Sequence, residues 1–551
     1  MTRLEPFRQL ARLCRQKGIE NVIICPGSRN AILTIAFTSE PGLNCYSISD
    51  ERSAGYIALG MALQTGLTTA LICTSGTAAL NFAPAVAEAF FQEVPLLILT
   101  ADRPPEWIHQ YDGQTIFQNE VYGKHVKKAF SWSPDQSEKD IEAAAAMSLE
   151  AVELCQRLPQ GPVHINIPVS EPFYPDEIDE IDKEWPVNSS SDQEKVEEIP
   201  SLEELLDLYP KRLLVVGQQH DESLYEKAAE FARRFGFVLV SDCIGNVRGG
   251  VKNHDHFLKS ISKESKSELI PDFLISTDMS LISKSLKLML REGDIKAHWH
   301  IQDNPFWIDP FRSLTKKVKM APALFFDQSL RLENRPISDS YIKSWEILDQ
   351  QSDNKINQFF ENESFTEFHF LKKLITQAPK DIIFHVGNSM SIRYMNALQK
   401  YLPDNSLVYG NRGTSGIDGS LSTAVGQAIK TKRMVLCVLG DLSFQYDKNA
   451  LWNRYLPDNL KIVVLNNAGG IIFNMIDGPA RQESFNTFFK TQQPNTARWI
   501  AKEFDLSYFS IKKQNEIHAQ LEAFLKEEGK AILEIFTDYE TNSKVFKEFF
   551  K

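Results

Sequence analysis

Apolar and polar residues along this chain come in blocks rather than in strict alternation. Short apolar runs at 21–25, 45–48, 69–73, 95–100 and 162–167 each end in small or polar residues, and segments with helical spacing, such as 51–65 and 77–92, lie between them. Uninterrupted apolar runs of this length predict strands buried on both faces, and strands that alternate with helices predict a parallel sheet. The rhythm returns at 213–216, 238–241, 273–276 and 298–301, and again at 382–386, 407–409, 434–439, 462–465 and 531–536. The expected fold class is therefore α/β, with three parallel-sheet domains at 1–175, 201–335 and 366–551. An acidic, Ser-rich linker at 176–200 and a helical connector at 336–365 separate them. The first and third domains look alike in strand rhythm, without a residue-level repeat.

The remaining patterns narrow the setting. Arg3, Arg8, Arg12 and Arg15 would suit a targeting peptide, yet Leu4, Phe7, Leu10 and Leu13 recur every three residues and lead into the first strand. An amphipathic first helix is the better reading. No run approaches the roughly 18 apolar residues that a membrane span needs. The net charge of −12 is concentrated, since 176–198 holds ten acidic residues against Lys183 and Lys195. The acidity thus describes a linker, and no basic stripe with interleaved aromatics suggests nucleic acid. Seven scattered cysteines without C-x-x-C spacing read as reduced, mostly buried thiols of a cytoplasmic protein. His298 and His300 alternate along a strand, His254 and His256 read as part of a polar loop, and none has zinc spacing.

Candidate chemistry is densest between Val435 and Gly470. An apolar run ends in Gly440-Asp441, a helical pattern follows up to Pro457, and a second apolar run ends in Asn466-Asn467-Ala468-Gly469. Two strands joined by a helix place both polar tips at one carboxyl edge of a parallel sheet, where open α/β sheets bind ligands. The Asp441 carboxylate, the Asn467 amide oxygen and a backbone carbonyl near Gly469 would make an all-oxygen set suited to Mg²⁺ on a diphosphate. Gly440 would let the backbone approach the phosphates, and Ser443 could donate to them. The competing reading is that Asp441 and Asn467 only cap helices.

The spacing of 26 residues from Asp441 to Asn467 resembles the GDG…NN signature of thiamine-diphosphate enzymes, with Leu442 in place of the second glycine. Further motifs are Cys25-Pro26-Gly27-Ser28-Arg29-Asn30, Ser49-Asp50-Glu51-Arg52, Thr74-Ser75-Gly76-Thr77-Ala78 and Thr100-Ala101-Asp102-Arg103-Pro104-Pro105-Glu106. Gly387-Asn388-Ser389 with Arg393, and Asn411-Arg412-Gly413-Thr414-Ser415-Gly416-Ile417-Asp418-Gly419, complete the set. Together they resemble the branch of thiamine-diphosphate carboligases that joins 2-oxoglutarate to isochorismate in menaquinone biosynthesis, a branch with GDLS instead of GDG. The similarity covers the first and third domains nearly end to end and is weak across 200–360.

The resemblance implies pyrimidine-binding, central and diphosphate-binding domains in that order. It makes Glu51 the acid that hydrogen-bonds N1′ of the cofactor aminopyrimidine and favours the imine that deprotonates thiazolium C2; by itself, Glu51 could simply favour a helix dipole. Thiamine diphosphate would lie on Glu51, Thr74, Ser75, Gly76, Ser389, Gly413, Ser415, Gly440, Asp441, Leu442, Ser443 and Asn467. Asp441, Asn467 and Gly469 would hold Mg²⁺, or Mn²⁺, and Ile417 would prop the cofactor in its bent shape. Two dianionic substrates call for fixed cations, which Arg29, Arg103, Arg393, Arg412 and Lys284 would supply, with Ser28 and Gln114 as polar contacts. Ser285 stands where the family often has arginine. Ile472 and Phe473 would wall the reacting centre from water. Pairing of the first domain with the third domain of a neighbour would make the protein a homodimer or a dimer of dimers. An acetolactate-type carboligase and a catalytically inactive cofactor-binding relative are the alternatives.

Overall fold

The computed structural model describes residues 4–135, 137–171, 185, 199, 202–334, 337, 339–475, 478 and 481–551. Apart from Trp185 and Ile199, the expected acidic linker lies outside the described residues.

The chain forms three sheets. The first contains β1 (Asn21–Ile24), β2 (Asn44–Ser47), β3 (Thr69–Cys73), β4 (Leu96–Asp102), β5 (Ala129–Ser131) and β6 (Val163–Pro168) in the order β2-β1-β3-β4-β6-β5. The second contains β7 (Arg212–Val216), β8 (Phe237–Ser241), β9 (Phe273–Thr277), β10 (Ala297–Ile301) and β11 (Lys316–Val318) in the order β11-β10-β9-β7-β8. The third contains β12 (Ile383–Val386), β13 (Leu407–Tyr409), β14 (Val435–Gly440), β15 (Leu460–Asn466), β16 (Ser507–Ile511) and β17 (Ala531–Phe536) in the order β13-β12-β14-β15-β17-β16. The named strand pairs are parallel throughout. The first and third sheets share one strand order, the structural counterpart of their similar rhythm. Helix Asp339–Glu361 runs between the second and third sheets in sequence.

The central strands β3, β4 and β15 are buried at every residue, as helices on both faces require. Three strands escape the apolar pattern: β5, β11 and β16. All are outermost in their sheets and only partly buried, so a continuous apolar run is not needed there. The expected helix at 77–92 is two helices, Thr77–Asn81 and Ala83–Phe91, because Pro84 lacks the N–H that would continue the first. His254 and His256 correct the polar-loop reading, for both are buried on helix His254–Ser260. No helix among the described residues is long and apolar enough to cross a membrane.

Strand order reverses between β1 and β3 and between β12 and β14, which opens a crevice at the carboxyl ends of each pair. Ser28, Glu51, Thr74 and Arg103 follow β1, β2, β3 and β4; Ser389, Arg412, Asp441 and Asn467 follow β12, β13, β14 and β15. Helix Glu51–Thr65 packs on helix Ser420–Ile429, so the first and third sheets meet within one chain.

Candidate active site

Register sets the first part of the site. Gly440 pairs with Leu465, so Asp441 and the Asn466-Asn467 pair leave adjacent strands at the same level. The two asparagines then diverge. Asn466 donates to Glu534 Oε1 at 2.7 Å and accepts from the Ala468 N–H at 3.1 Å, which satisfies its amide internally. Asn467 donates to Glu367 Oε1 at 2.7 Å, but its Oδ1 is buried and has no hydrogen-bond partner.

Asp441 is buried and accepts from Gln493 Nε2 at 2.8 Å and from the Leu442 N–H at 2.7 Å. Burial still pushes its carboxyl up to about 6. Ala468 takes the left-handed conformation, φ 62°, and turns the chain back beneath the tip. A methyl on Gly469 would lie 2.7 Å from the Lys490 carbonyl oxygen. The Gly469 carbonyl accepts from the Ile471 N–H at 3.1 Å and keeps a second lone pair. Among the described residues no group of three His, Cys, Asp or Glu side chains could hold a metal. A carboxylate, an unpartnered amide oxygen and a carbonyl nevertheless fit a hard divalent cation that retains waters.

A methyl on Gly440 would meet nothing within 4 Å, so the backbone there is open to a ligand. Ser443 Oγ instead donates to the Ile417 carbonyl at 2.6 Å, tying the helix after β14 to the loop after β13. That loop is braced from three sides. Glu88 accepts from the Gly413 and Thr414 N–H groups at 2.7 and 2.8 Å. Asn388 donates to the Asn411 and Gly416 carbonyls, and Tyr56 Oη donates to Asp418 Oδ2 at 2.8 Å. Ile417 remains 41% exposed at its crest, and Ser389 and Ser415 hold left-handed turns beside it.

At the first sheet, Asp50 caps helix Glu51–Thr65 through the Arg52 and Ser53 N–H groups, while half-buried Glu51 opens it. Thr74 and Ser75 are buried, and the Gly76 N–H donates to Gln118 at 3.1 Å. Arg29 is buried and donates to the Val169 carbonyl. Arg103 binds the Gly113 carbonyl and lies 3.2 Å from Asp112; Ser28 and Gln114 are exposed. Neighbours of Glu51 reach Tyr446 and Asn449, at the far end of the helix that Asp441 begins. No hydrogen bond or ion pair among the described residues links Glu51 to Asp441 or Asn467.

Arg393 and Arg412 do come together. Arg412 Nη1 donates to Asn388 Oδ1 at 2.8 Å, while its Nε is buried without a partner. Arg393 is exposed and Arg412 half-buried. Partial desolvation lowers the pKa of both, and the charge of Arg412 lowers that of Arg393 further, while Asp255 opposes the shift in Arg393 and Asp242 and Glu88 oppose that in Arg412. Neither forms an ion pair with a carboxylate among the described residues. Such a pair is relieved by an anion. Lys284 is exposed on the first turn of helix Lys284–Glu292. Ile472 and Phe473 lie half-buried on the turn Ile471–Asn474, with the Phe473 ring 5.8 Å from Phe489.

Two segments match known families: residues 6–127 the thiamine pyrophosphate enzyme N-terminal TPP binding domain, and 386–535 its C-terminal TPP binding domain. Relatives match over nearly the whole length. A Cytophaga hutchinsonii protein is 42% identical over 100% of this chain and 99% of its own. Those of Flavobacterium johnsoniae and Desulfotalea psychrophila are 35% and 36% identical, covering 99% and 96% of this chain and 98% and 97% of theirs. All three are named 2-succinyl-5-enolpyruvyl-6-hydroxy-3-cyclohexene-1-carboxylate (SEPHCHC) synthase. The chain belongs to the SEPHCHC synthase family.

In this SEPHCHC synthase relative, several residues of the site escape sequence reasoning. Glu367, Gln493 and Glu534 brace the β14 and β15 tips from distant segments, with no local pattern to mark them. Glu88 left a signal, as the one acid in the otherwise apolar helix Ala83–Phe91. Asp242 accepts from the Ser283 N–H at 2.9 Å and from Asn396 Nδ2 at 3.0 Å, joining the Lys284 loop to the helix that carries Arg393. Lys287, one turn beyond Lys284, is a further cation here; burial lowers its pKa, Asp242 opposes this, and the charges of Arg412 and Arg393 add to it.

Proposed function

We propose that this chain decarboxylates 2-oxoglutarate and joins the remaining succinyl unit to isochorismate by 1,4-addition, giving SEPHCHC and CO₂. Thiamine diphosphate, with Mg²⁺ or Mn²⁺, supplies when bound a thiazolium carbon that adds to a keto group and accepts the electron pair left by CO₂. The observation that carries this reading is the pair formed by exposed Arg393 and half-buried Arg412, neither ion-paired to a carboxylate among the described residues, at strand ends next to a hard-oxygen tip. An acetolactate-type reaction, whose substrates carry a single carboxylate each, has less need of such a pair.

The residues divide the work. Asp441, Asn467 and the Gly469 carbonyl hold the cation, and open backbone at Gly440 receives phosphate oxygens. Thr74, Ser75, Gly76, Ser389, Gly413 and Ser415 line the cofactor, and Ile417 supports it. Arg393 and Arg412 fix substrate carboxylates, with Arg29, Arg103, Lys284, Ser28 and Gln114 completing recognition. Ile472 and Phe473 keep water from the reacting carbon. Glu51 exchanges a proton with the aminopyrimidine. Within one chain its neighbours Asp50 and Arg52 meet Asn449 and Tyr446, at the far end of the helix that Asp441 opens, which supports a homodimer or dimer of dimers in which Glu51 of one subunit serves the diphosphate edge of the other. A cytoplasmic location suits this chemistry.

Release of CO₂ from 2-oxoglutarate, with thiamine diphosphate and Mg²⁺ and with or without isochorismate, tests the proposal. SEPHCHC should form only when both substrates are present. Product from pyruvate instead would favour the acetolactate-type reading, and no cofactor uptake would end both.

A further inference from the structure

Glu367 is an unusual residue to find behind a ligand-binding tip. It opens helix Glu367–Gln377, is 1% exposed, and forms no ion pair with a lysine or arginine among the described residues. A buried acid without a cation is costly, so packing alone does not account for it. Its N–H is held by Asn542 Oδ1 at 2.9 Å, and its Oε1 accepts from Asn467 Nδ2 at 2.7 Å across 100 residues of sequence.

We propose that Glu367 is the positioning residue that turns the Asn467 amide so that its oxygen, and not its NH₂, faces the cation site beside Asp441. This rests on the proposed metal–diphosphate role of the β14 and β15 tips. An asparagine side chain can present either end, and the two ends have opposite polarity. One end attracts a cation and the other repels it. A carboxylate offers acceptors only, so its contact with Asn467 selects the NH₂ and sends Oδ1 the other way. A carboxamide at 367 would lose that selectivity, because its own NH₂ could take the Asn467 oxygen.

The neighbouring asparagine shows that the arrangement is specific. Asn466 has the same kind of brace, its NH₂ on Glu534, yet its oxygen is consumed by the Ala468 N–H. Of these two asparagines at the tip, Asn467 is the one whose oxygen is left buried and without a donor among the described residues. That is the condition of a ligand atom, and Glu367 creates it.

The test uses the full chain with excess thiamine diphosphate and Mn²⁺ titrated in, free Mn²⁺ being read by electron paramagnetic resonance. Native protein should retain about one Mn²⁺ per chain, as expected of a single site. Glu367→Gln should weaken Mn²⁺ retention by roughly tenfold or more, the usual scale for an outer-shell partner. The double variant Glu367→Gln with Asn467→Asp should regain most of the affinity, since an aspartate offers oxygen in both orientations and the new carboxamide can donate to one of them. Recovery larger than the gain that Asn467→Asp alone gives to otherwise native protein separates this from a purely structural role for Glu367. Native-like affinity in the single variant, or no recovery in the double one while native protein binds, would overturn the inference. Failure of native protein itself to retain Mn²⁺ would instead remove the metal reading beneath it.

Discussion

Gly60 and Gly426 bring two helices from different sheets to backbone contact. A methyl on Gly60 would lie 2.0 Å from the Thr423 carbonyl oxygen, and one on Gly426 would lie 2.0 Å from the Ile57 carbonyl oxygen. Glycine inside a helix ordinarily costs about 0.5–1 kcal/mol against alanine, so alanine here would stabilise an isolated helix. In the folded chain it must push the helices apart, at a cost of roughly 1–3 kcal/mol. Gly60→Ala and Gly426→Ala should therefore each lower the thermal unfolding temperature, despite better helix propensity. An unchanged or raised melting temperature in both would mean that the crossing is not as tight as these distances imply.

Glu51 and Asp50 compete as the acid for the aminopyrimidine, and their contacts separate them. Asp50 is committed, its Oδ1 to the Arg52 and Ser53 N–H groups and its Oδ2 to Asn449 Nδ2 at 2.7 Å. The Glu51 carboxyl makes no hydrogen bond among the described residues. Glu51→Gln should reduce turnover by roughly 10²–10⁴-fold, the scale of lost general acid–base catalysis, with thiamine diphosphate still bound. Turnover assays beside calorimetric titration of the cofactor check both halves. Full activity in the variant would remove Glu51 from the chemistry.

Strand tips were the legible part of this molecule, and their supports were not. Buried runs such as 434–439 announce both a strand and the polar residue that ends it, so Asp441 and Asn467 stand out by position. Strands β5, β11 and β16 carry no such run, because each is only partly buried at the edge of its sheet. The braces are invisible for another reason: Glu367 reaches Asn467 across 100 residues and Glu534 reaches Asn466 across 68. Neither contact leaves a spacing that a local pattern could reveal. Arg393 and Arg412 were marked by motif, but the effect of the Arg412 charge on Arg393 is a product of the fold.

Asp447 gives a pH signature apart from the metal tip. Its carboxyl is fully buried at the end of helix Asp441–Asp447, accepting from the Ser422 N–H at 2.7 Å and Oγ at 2.8 Å. Burial raises its pKa from 3.8 to about 7; the Ser422 bonds and the Arg52 charge oppose this, and Asp418 adds to it. A carboxyl raised on folding favours the native state below its unfolded value, and that contribution is lost as pH climbs through the folded value. Between about pH 4 and pH 7 the native chain should lose up to ~4 kcal/mol that an Asp447→Asn variant does not lose. Urea midpoints at pH 5 and pH 8 measure it. The variant should gain on native protein as pH rises; an equal difference at both pH values would place Asp447 in contact with solvent.

Arg412 is the sharpest probe of substrate choice, because one side of its guanidinium is anchored and the other is not. Nη1 is fixed by Asn388, whereas buried Nε has no acceptor, so the group is oriented before any ligand arrives. Loss of a charge-assisted hydrogen bond is worth about 1.5–3 kcal/mol, so Arg412→Ala should lower kcat/KM for 2-oxoglutarate by roughly 10–100-fold. Lysine restores charge but not the planar fork, so Arg412→Lys should recover only part of this. Removing Arg412 also removes the like charge that lowers the Arg393 pKa, so Arg393 becomes easier to keep protonated as its neighbour is lost. The effects of Arg393→Ala and Arg412→Ala should then fail to add, as coupled neighbours do. Steady-state kinetics of both single variants and the double, with cofactor affinity measured in parallel, separate the possibilities. If the thiamine diphosphate affinity falls while KM for 2-oxoglutarate stays native, Arg412 braces the Gly413–Ile417 loop and the substrate carboxylate is held elsewhere.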